Sequence, residues 1–270
     1  VPHPALPVLE RLRMPDAWLP EIAACARAEG VLWFATPFSE DRADALARAG
    51  APLLKVGSGE LTHHALLRHV ARLGLPVILS TGMATGDEVD AAVSAFASAG
   101  NDRLALLHCV SDYPGRFEDL NLRVLPEMAR RYGCPVGLSD HVPDARGALA
   151  AAALGAAVLE KHFSDDPSRP GADHAASLGP AAFAAMVREI RALERALGDG
   201  VKRPVRAEEG MRTQARRGLY AASDIPAGAA IVPAMLAALR PRAGVGAEEI
   251  GRVAGRRAAR AIPRGTALSW

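Results

Sequence analysis

PVGLSDH (135–141) and AVLEKHF (157–163) decide the fold. Each is a short apolar run, rich in strand-forming residues, that ends in polar groups. The residues between them, 144–155, carry helical periodicity. The same unit recurs upstream as VLWFATP (31–37), LLKVGSGE (53–60), PVILSTG (76–82) and LALLHCV (104–110), which makes six runs. Helices are predicted at roughly 16–29, 39–49, 62–73, 85–99, 119–132 and 144–155, with a last one at 180–197. Strands that alternate with helices pair in parallel, and continuous apolar runs suit strands buried on both faces.

A (β/α) barrel and a doubly wound sheet both meet this pattern. No GxGxxG opens a helix, which weakens a dinucleotide reading. The strand ends favour the barrel. They deliver Thr36; Lys55, Ser58 and Glu60; Ser80 and Thr81; His108; Ser139, Asp140 and His141; and Lys161 and His162. Barrel active sites lie at the C-terminal ends of the strands. Six runs are two short of the eight that close a barrel.

Beyond residue 200 the composition changes. Residues 201–270 hold 13 Lys and Arg against 5 Asp and Glu, whereas the whole chain is only +2. A basic segment suits an acidic small molecule or nucleic acid. It has no basic run interleaved with aromatics, so nucleic acid is not expected. Residues 201–212 read as a linker. Residues 213–270, with turn signals DIPAG and IPRG, read as a small β-rich domain with a short helix near 246–251. No apolar run reaches the length of a membrane span. Cys25, Cys109 and Cys134 form no CxxC pair, which suits reduced thiols in the cytoplasm. The N-terminal stretch VPHPALPVLERLRMPD has no signal-peptide pattern.

His141 and His162 end consecutive runs, so their imidazoles can converge. Two neutral imidazoles plus water and substrate oxygens suit Mn²⁺ or Zn²⁺. Taken alone, two such histidines are more often hydrogen-bonding residues with no metal. Lys55 in an apolar strand needs an anion, and Gly57-Ser58-Gly59 places backbone N–H groups beside it. Ser80, Thr81 and Ser139 add hydroxyls, giving a phosphate or carboxylate cradle; a snorkelling Lys with turn hydroxyls is the alternative. Glu60 is a candidate for orienting water or for the start of the helix at 62–73. Asp140 is a candidate partner for an imidazole. His3, His63, His64 and His69 read as incidental, and Cys109 reads as packing.

FATPFSED (34–41), KVGSGELTHHALLRH (55–69), PVILSTGM (76–83), LLHCVSDYP (106–114), FEDLNLRVLPEM (117–128), PVGLSDH, LGAAVLEKHF (154–163) and RPGADHAASL (169–178) occur in one order. With RRGLYAASDIPAG (216–228) and LRP (239–241), they resemble the N-acetylneuraminate (sialic acid) synthases and their legionaminate, pseudaminate and spore-coat relatives. The resemblance covers the chain from about residue 10. It implies a (β/α)8 TIM-type barrel lacking its first two β/α units, spanning 1–200. A C-terminal SAF (antifreeze-like) domain follows. It further implies condensation of phosphoenolpyruvate with an N-acylated amino sugar. By the same resemblance, His141 and His162 hold a divalent metal, Mn²⁺ first, with Mg²⁺ or Co²⁺ as alternatives. Lys55, Ser58, Ser80 and Ser139 hold phosphoenolpyruvate, Glu60 is an active-site carboxylate, and Tyr113 and Asp173 contact the sugar. Thr36 joins the substrate site, as does Ser111, which stands where some relatives have Asn. Arg240 reaches the partner's barrel in a swapped homodimer. Two preceding β/α units would carry further substrate groups, so little turnover is expected from these residues alone. The alternatives are an inactive binding or scaffold protein, or another phosphate-handling barrel lyase or aldolase.

Overall fold

The computed structural model describes Glu10, residues 14–171 and residues 173–270, so His3 lies outside the described residues. The chain divides into two compact units, Val1–Gly198 and Asp199–Trp270. In the first unit, β1 (Leu54–Val56), β2 (Val77–Ser80), β3 (Leu104–Cys109), β4 (Val136–Asp140) and β5 (Val158–Lys161) form one sheet in sequential order. Every pairing is parallel. Helices α1 (Leu19–Ala28) and α2 (Glu40–Arg48) precede β1. Helices α3 (His64–Arg72), α4 (Gly86–Ala97), α5 (Val124–Tyr132) and α6 (Arg146–Ala153) connect successive strands, and α7 (Pro180–Leu197) follows β5.

The register sorts the side chains. Lys55 lies beside Ile78, which lies beside Ala105; Cys109, Ser139 and Glu160 form another row. Successive strand residues face opposite sides. One face therefore carries Lys55, Ser80, Cys109, Ser139 and Glu160. The other carries Val56, Leu79, Leu106, Val136 and Leu138, all buried and packed with Leu46, Leu66, Leu67, Val70, Phe96 and Leu125 of the helices. On α3 the buried set is Leu66, Leu67, Val70 and Ala71, a helical stripe.

The polar face is concave. Lys55 and Glu160 stand on the two edge strands, yet Lys55 Nζ lies 3.4 Å from Glu160 Oε1. A flat sheet would hold those strands about 19 Å apart, at roughly 4.8 Å per step. The sheet therefore curls into half a barrel.

One expected strand is absent. Residues 31–37 form no strand. A single backbone bond, from Lys55 N to Ala35 O at 3.2 Å, ties the run to the sheet. One bond makes no ladder, and Val31, Leu32 and Phe34 are left exposed. The sheet thus has five strands rather than six.

Helix α4 starts at a reciprocal cap. Thr85 Oγ1 accepts from Glu88 N at 3.3 Å, and Thr85 N donates to Glu88 Oε2 at 2.7 Å. Thr85→Ala is expected to cost about 1 kcal/mol, read as a lowered urea midpoint with an unchanged slope.

The second unit pairs β6 (Gly218–Ala221) with β7 (Leu236–Leu239) in antiparallel register. The two turn signals meet, since Ile225 and Ile262 exchange backbone bonds of 2.9 and 2.8 Å. Its core comprises Leu219, Ile225, Ile231, Val245, Val253 and Leu268. A short helical stretch, Ala247–Glu249 then α9 (Ile250–Val253), lies near the expected position; the linker-side helix α8 is Glu209–Ala215. Among the described residues no helix is long and apolar enough to cross a membrane, and the three cysteines are free.

Candidate active site

The concave face and the strand ends build one constellation. Strand parity puts His141 and His162 on the same side as Ser139 and Glu160. Their ring centroids lie 5.1 Å apart at an interplanar angle of 77°. Tyr113, on the loop after β3, covers both, with its ring 4.0 Å from His141 and 5.6 Å from His162. His141 Nδ1 donates to Val110 O at 2.8 Å. That bond fixes the tautomer and leaves Nε2 with its lone pair free, the arrangement metal-bound histidines use. Among the described residues no group of three or more His, Cys, Asp or Glu side chains is arranged to hold a metal ion. A metal on this pair would keep open positions, which suits a Lewis acid that must accept substrate oxygens.

Burial and the nearby His141 hold the His162 pKa below its ordinary value. Burial acts on His141 in the same sense, but hydrogen bonds to Cys109 and Val110 outweigh it and raise its pKa. Burial raises the Tyr113 phenol, with the Cys109, Asp173 and Glu160 charges adding to it. Asp173 thus sits within electrostatic reach of Tyr113 and His162.

Next to the imidazoles is a polar floor. Lys55 faces Glu160, whose Oε2 is buried without a hydrogen-bond partner among the described residues. Ser80 Oγ is buried and unpartnered in the same way. Two orphaned polar atoms on one concave face mark a place for a polar ligand, since such atoms are otherwise costly. Ser58 Oγ accepts from Gly82 N at 2.9 Å, which joins the Gly-Ser-Gly turn to the end of β2. A Cβ on Gly82 would fall 2.3 Å from Ser111 Oγ, 2.8 Å from Ser58 Oγ and 3.1 Å from Cys109 Sγ, so these three groups close around it. Thr36 lies beside the Gly-Ser-Gly turn, with its methyl 3.7 Å from where a Cβ on Gly57 would lie.

Some expected groups are used elsewhere. Asp140 binds no imidazole; it pairs with Lys161 on the opposite face of the sheet, because it has the other strand parity. Thr81 Oγ1 donates to Leu107 O at 3.0 Å, so it is not a cradle donor. His108 Nε2 bonds Leu120 O at 2.7 Å and ties β3 to the following loop. Glu60 Oε2 lies 3.3 Å from His63 Nδ1, which gives that histidine a partner. His69 bridges α2 and α3, 2.8 Å from Asp44 and 3.5 Å from Glu40. Arg240, in the second unit, donates from Nε to Ala215 O at 2.6 Å and is exposed.

The sequence expectation passes over Glu160. Its signal is parity along VLEKHF: Glu160 and His162 share a face, and Lys161 does not.

A curled parallel sheet that gathers a lysine, a carboxylate, hydroxyls and a histidine pair at its strand ends defines a barrel-type α/β enzyme site. The NeuB family pattern matches residues 3–202, and the SAF domain pattern matches residues 216–270. The chain belongs to the NeuB family. It is 37% identical over 253 residues to an N,N'-diacetyllegionaminic acid synthase of Legionella pneumophila, covering 92% of this chain and 71% of that protein. It resembles the N-acetylneuraminic acid synthetase of Leptospira borgpetersenii, solved with citrate, with a TM-score of 0.70 and 33% identity. That match covers 74% of this chain and 70% of that one. The spore coat protein spsE of Bacillus subtilis gives a TM-score of 0.66 at 32% identity, over 96% of this chain and 77% of that one.

Proposed function

We propose that this protein condenses phosphoenolpyruvate with an N-acylated amino sugar to form a nonulosonic acid and phosphate. The observation that carries the reading is the pair of orphaned polar atoms, Ser80 Oγ and Glu160 Oε2, on a face that also presents Lys55 and two converging imidazoles. The names of the relatives support it.

Lys55, Ser58, Ser80 and Ser139 hold the anionic groups of phosphoenolpyruvate. Tyr113, Asp173, Ser111 and Thr36 surround the sugar. A divalent ion held by His141 and His162, Mn²⁺ first, supplies Lewis acidity to the open-chain sugar aldehyde when bound. The C2=C3 π pair of phosphoenolpyruvate forms the new bond from C3 to the aldehyde carbon, whose C=O π pair passes to oxygen and takes up a proton, leaving C2 electron-poor. Water adds at C2 and gives up its protons, and phosphate leaves with the electron pair of the C2–O bond, which leaves a ketone at C2. Glu160 orients that water, and Glu60, which also contacts His63, is the second carboxylate for that role. In a homodimer, Arg240 of one subunit would serve the partner's barrel; its exposure supports that reading.

The test combines binding and turnover. Saturable Mn²⁺ binding that His141→Ala abolishes, metal-dependent binding of phosphoenolpyruvate that Lys55→Ala weakens, and sugar-dependent phosphate release once two preceding β/α units are supplied are the expected results. Absence of both binding events overturns the reading. Gly82→Ala is a sharper check on the cradle. Its methyl would displace Ser58 and Ser111, so phosphoenolpyruvate affinity is expected to fall about tenfold, which is about 1.4 kcal/mol. Mn²⁺ binding should stay near wild type. An unchanged titration with phosphoenolpyruvate would remove Ser58 from the cradle.

A further inference from the structure

We infer that the buried Asp140–Lys161 ion pair is a clamp that sets the spacing of His141 and His162, which makes Asp140 and Lys161 positioning residues. Its consequence for metal binding rests on the proposed function above. Lys161 Nζ lies 2.9 Å from Asp140 Oδ2, and the two side chains are 1% and 0% exposed. Asp140 and Lys161 are register partners on β4 and β5, at the last paired position before the strands end. His141 and His162 each follow directly. The clamp therefore joins the two strands one residue short of the imidazoles.

Both groups are also tied to the loop that leaves β4. Val142 N donates to Asp140 Oδ1 at 3.0 Å, and Lys161 Nζ donates to Val142 O. The His141 backbone is thus bracketed on both sides. Helix α6 closes the pocket, because a Cβ on Gly147 would fall 2.7 to 2.8 Å from the carboxyl atoms of Asp140. The carboxylate has no room to turn.

Stability alone does not account for this pair. The same face of the sheet is lined mainly by apolar side chains, Val56, Leu79, Leu106, Val136 and Leu138, with the half-buried His108 beside Leu138. A buried ion pair is frequently no more stabilising than apolar residues of similar size. A directional bond between two charged groups does what an aliphatic contact does not: it fixes how far apart the two strand ends sit.

Two double variants test the clamp in the full chain, and neither leaves a lone buried charge: D140L/K161M and D140N/K161Q. Melting temperature, Co²⁺ titration with its visible spectrum, and metal-free crystal structures are compared with wild type. Both doubles are expected to fold and melt close to wild type. Their Co²⁺ dissociation constants should rise about 10- to 100-fold, with changed band intensities, and the ring-centroid distance should depart from 5.1 Å. Wild-type Co²⁺ affinity and spectrum in a folded double, or an unchanged ring spacing, would overturn the clamp. If both doubles fail to fold while K161R binds Co²⁺ as wild type does, the pair is a stability element only and the inference also falls. If wild type binds no Co²⁺, the metal reading fails, and ring spacing in the metal-free crystals still decides the clamp.

Discussion

His141→Ala is expected to abolish measurable Mn²⁺ binding and, in protein supplied with two preceding β/α units, to lower sugar-dependent phosphate release about 10³-fold. A Lewis-acid metal contributes several kcal/mol to a transition state, and about 4 kcal/mol is a factor of 10³. Two features make His141 the more sensitive of the pair. Its Nδ1 is anchored on Val110 O, so it is the better-oriented imidazole. It also carries the closer stack with Tyr113. His162→Ala should likewise lose the metal while leaving the Val110 anchor intact. His69→Ala, at the α2–α3 contact, should change neither metal binding nor phosphate release. Calorimetric titration with Mn²⁺ and a phosphate-release assay read all three. Wild-type Mn²⁺ affinity in His141→Ala would remove the histidine pair from the mechanism.

Gly137→Ala is expected to destabilise the first unit by at least about 3 kcal/mol. The added methyl would lie 1.9 Å from Val158 O, 2.7 Å from Val158 C and 2.9 Å from Leu107 Cδ2. The backbone of Val158 is held in the β4–β5 ladder opposite Gly137, so it cannot retreat without breaking that pairing. The effect should reach function, because the ladder sets Ser139 against Glu160. Urea unfolding followed by far-UV circular dichroism gives the answer. A midpoint equal to wild type would show that the sheet has slack there.

Much of the fold was readable from residue patterns because its elements are strongly periodic. Helix α7 occupies Pro180–Leu197 as expected, with Pro at its first turn, where a missing N–H costs nothing. Five of the six apolar runs are strands. VLWFATP has the right composition, but a strand needs hydrogen bonds to neighbours, and that is not written in the run itself. The gathering of His141, His162 and Lys55 on one face was legible, because residue type and strand position agreed. The site was misread where position within the pleat decided. Asp140 sits beside a histidine in sequence, yet its side chain leaves on the other face. Glu160 is hidden between apolar and basic neighbours, although counting by two from His162 reaches it.

The contact between Lys55 and Glu160 has a thermodynamic consequence. These side chains come from the first and last strands of the sheet, so a ligand that engages both acts as a tie across the opening. It stabilises only the folded chain, and by mass action a hundredfold excess over its dissociation constant adds about 2.7 kcal/mol. Melting temperature therefore becomes a selective sensor for ligands of this cleft. A panel of amino sugars, each offered with phosphoenolpyruvate and Mn²⁺, can be ranked by the rise it produces before any product is measured.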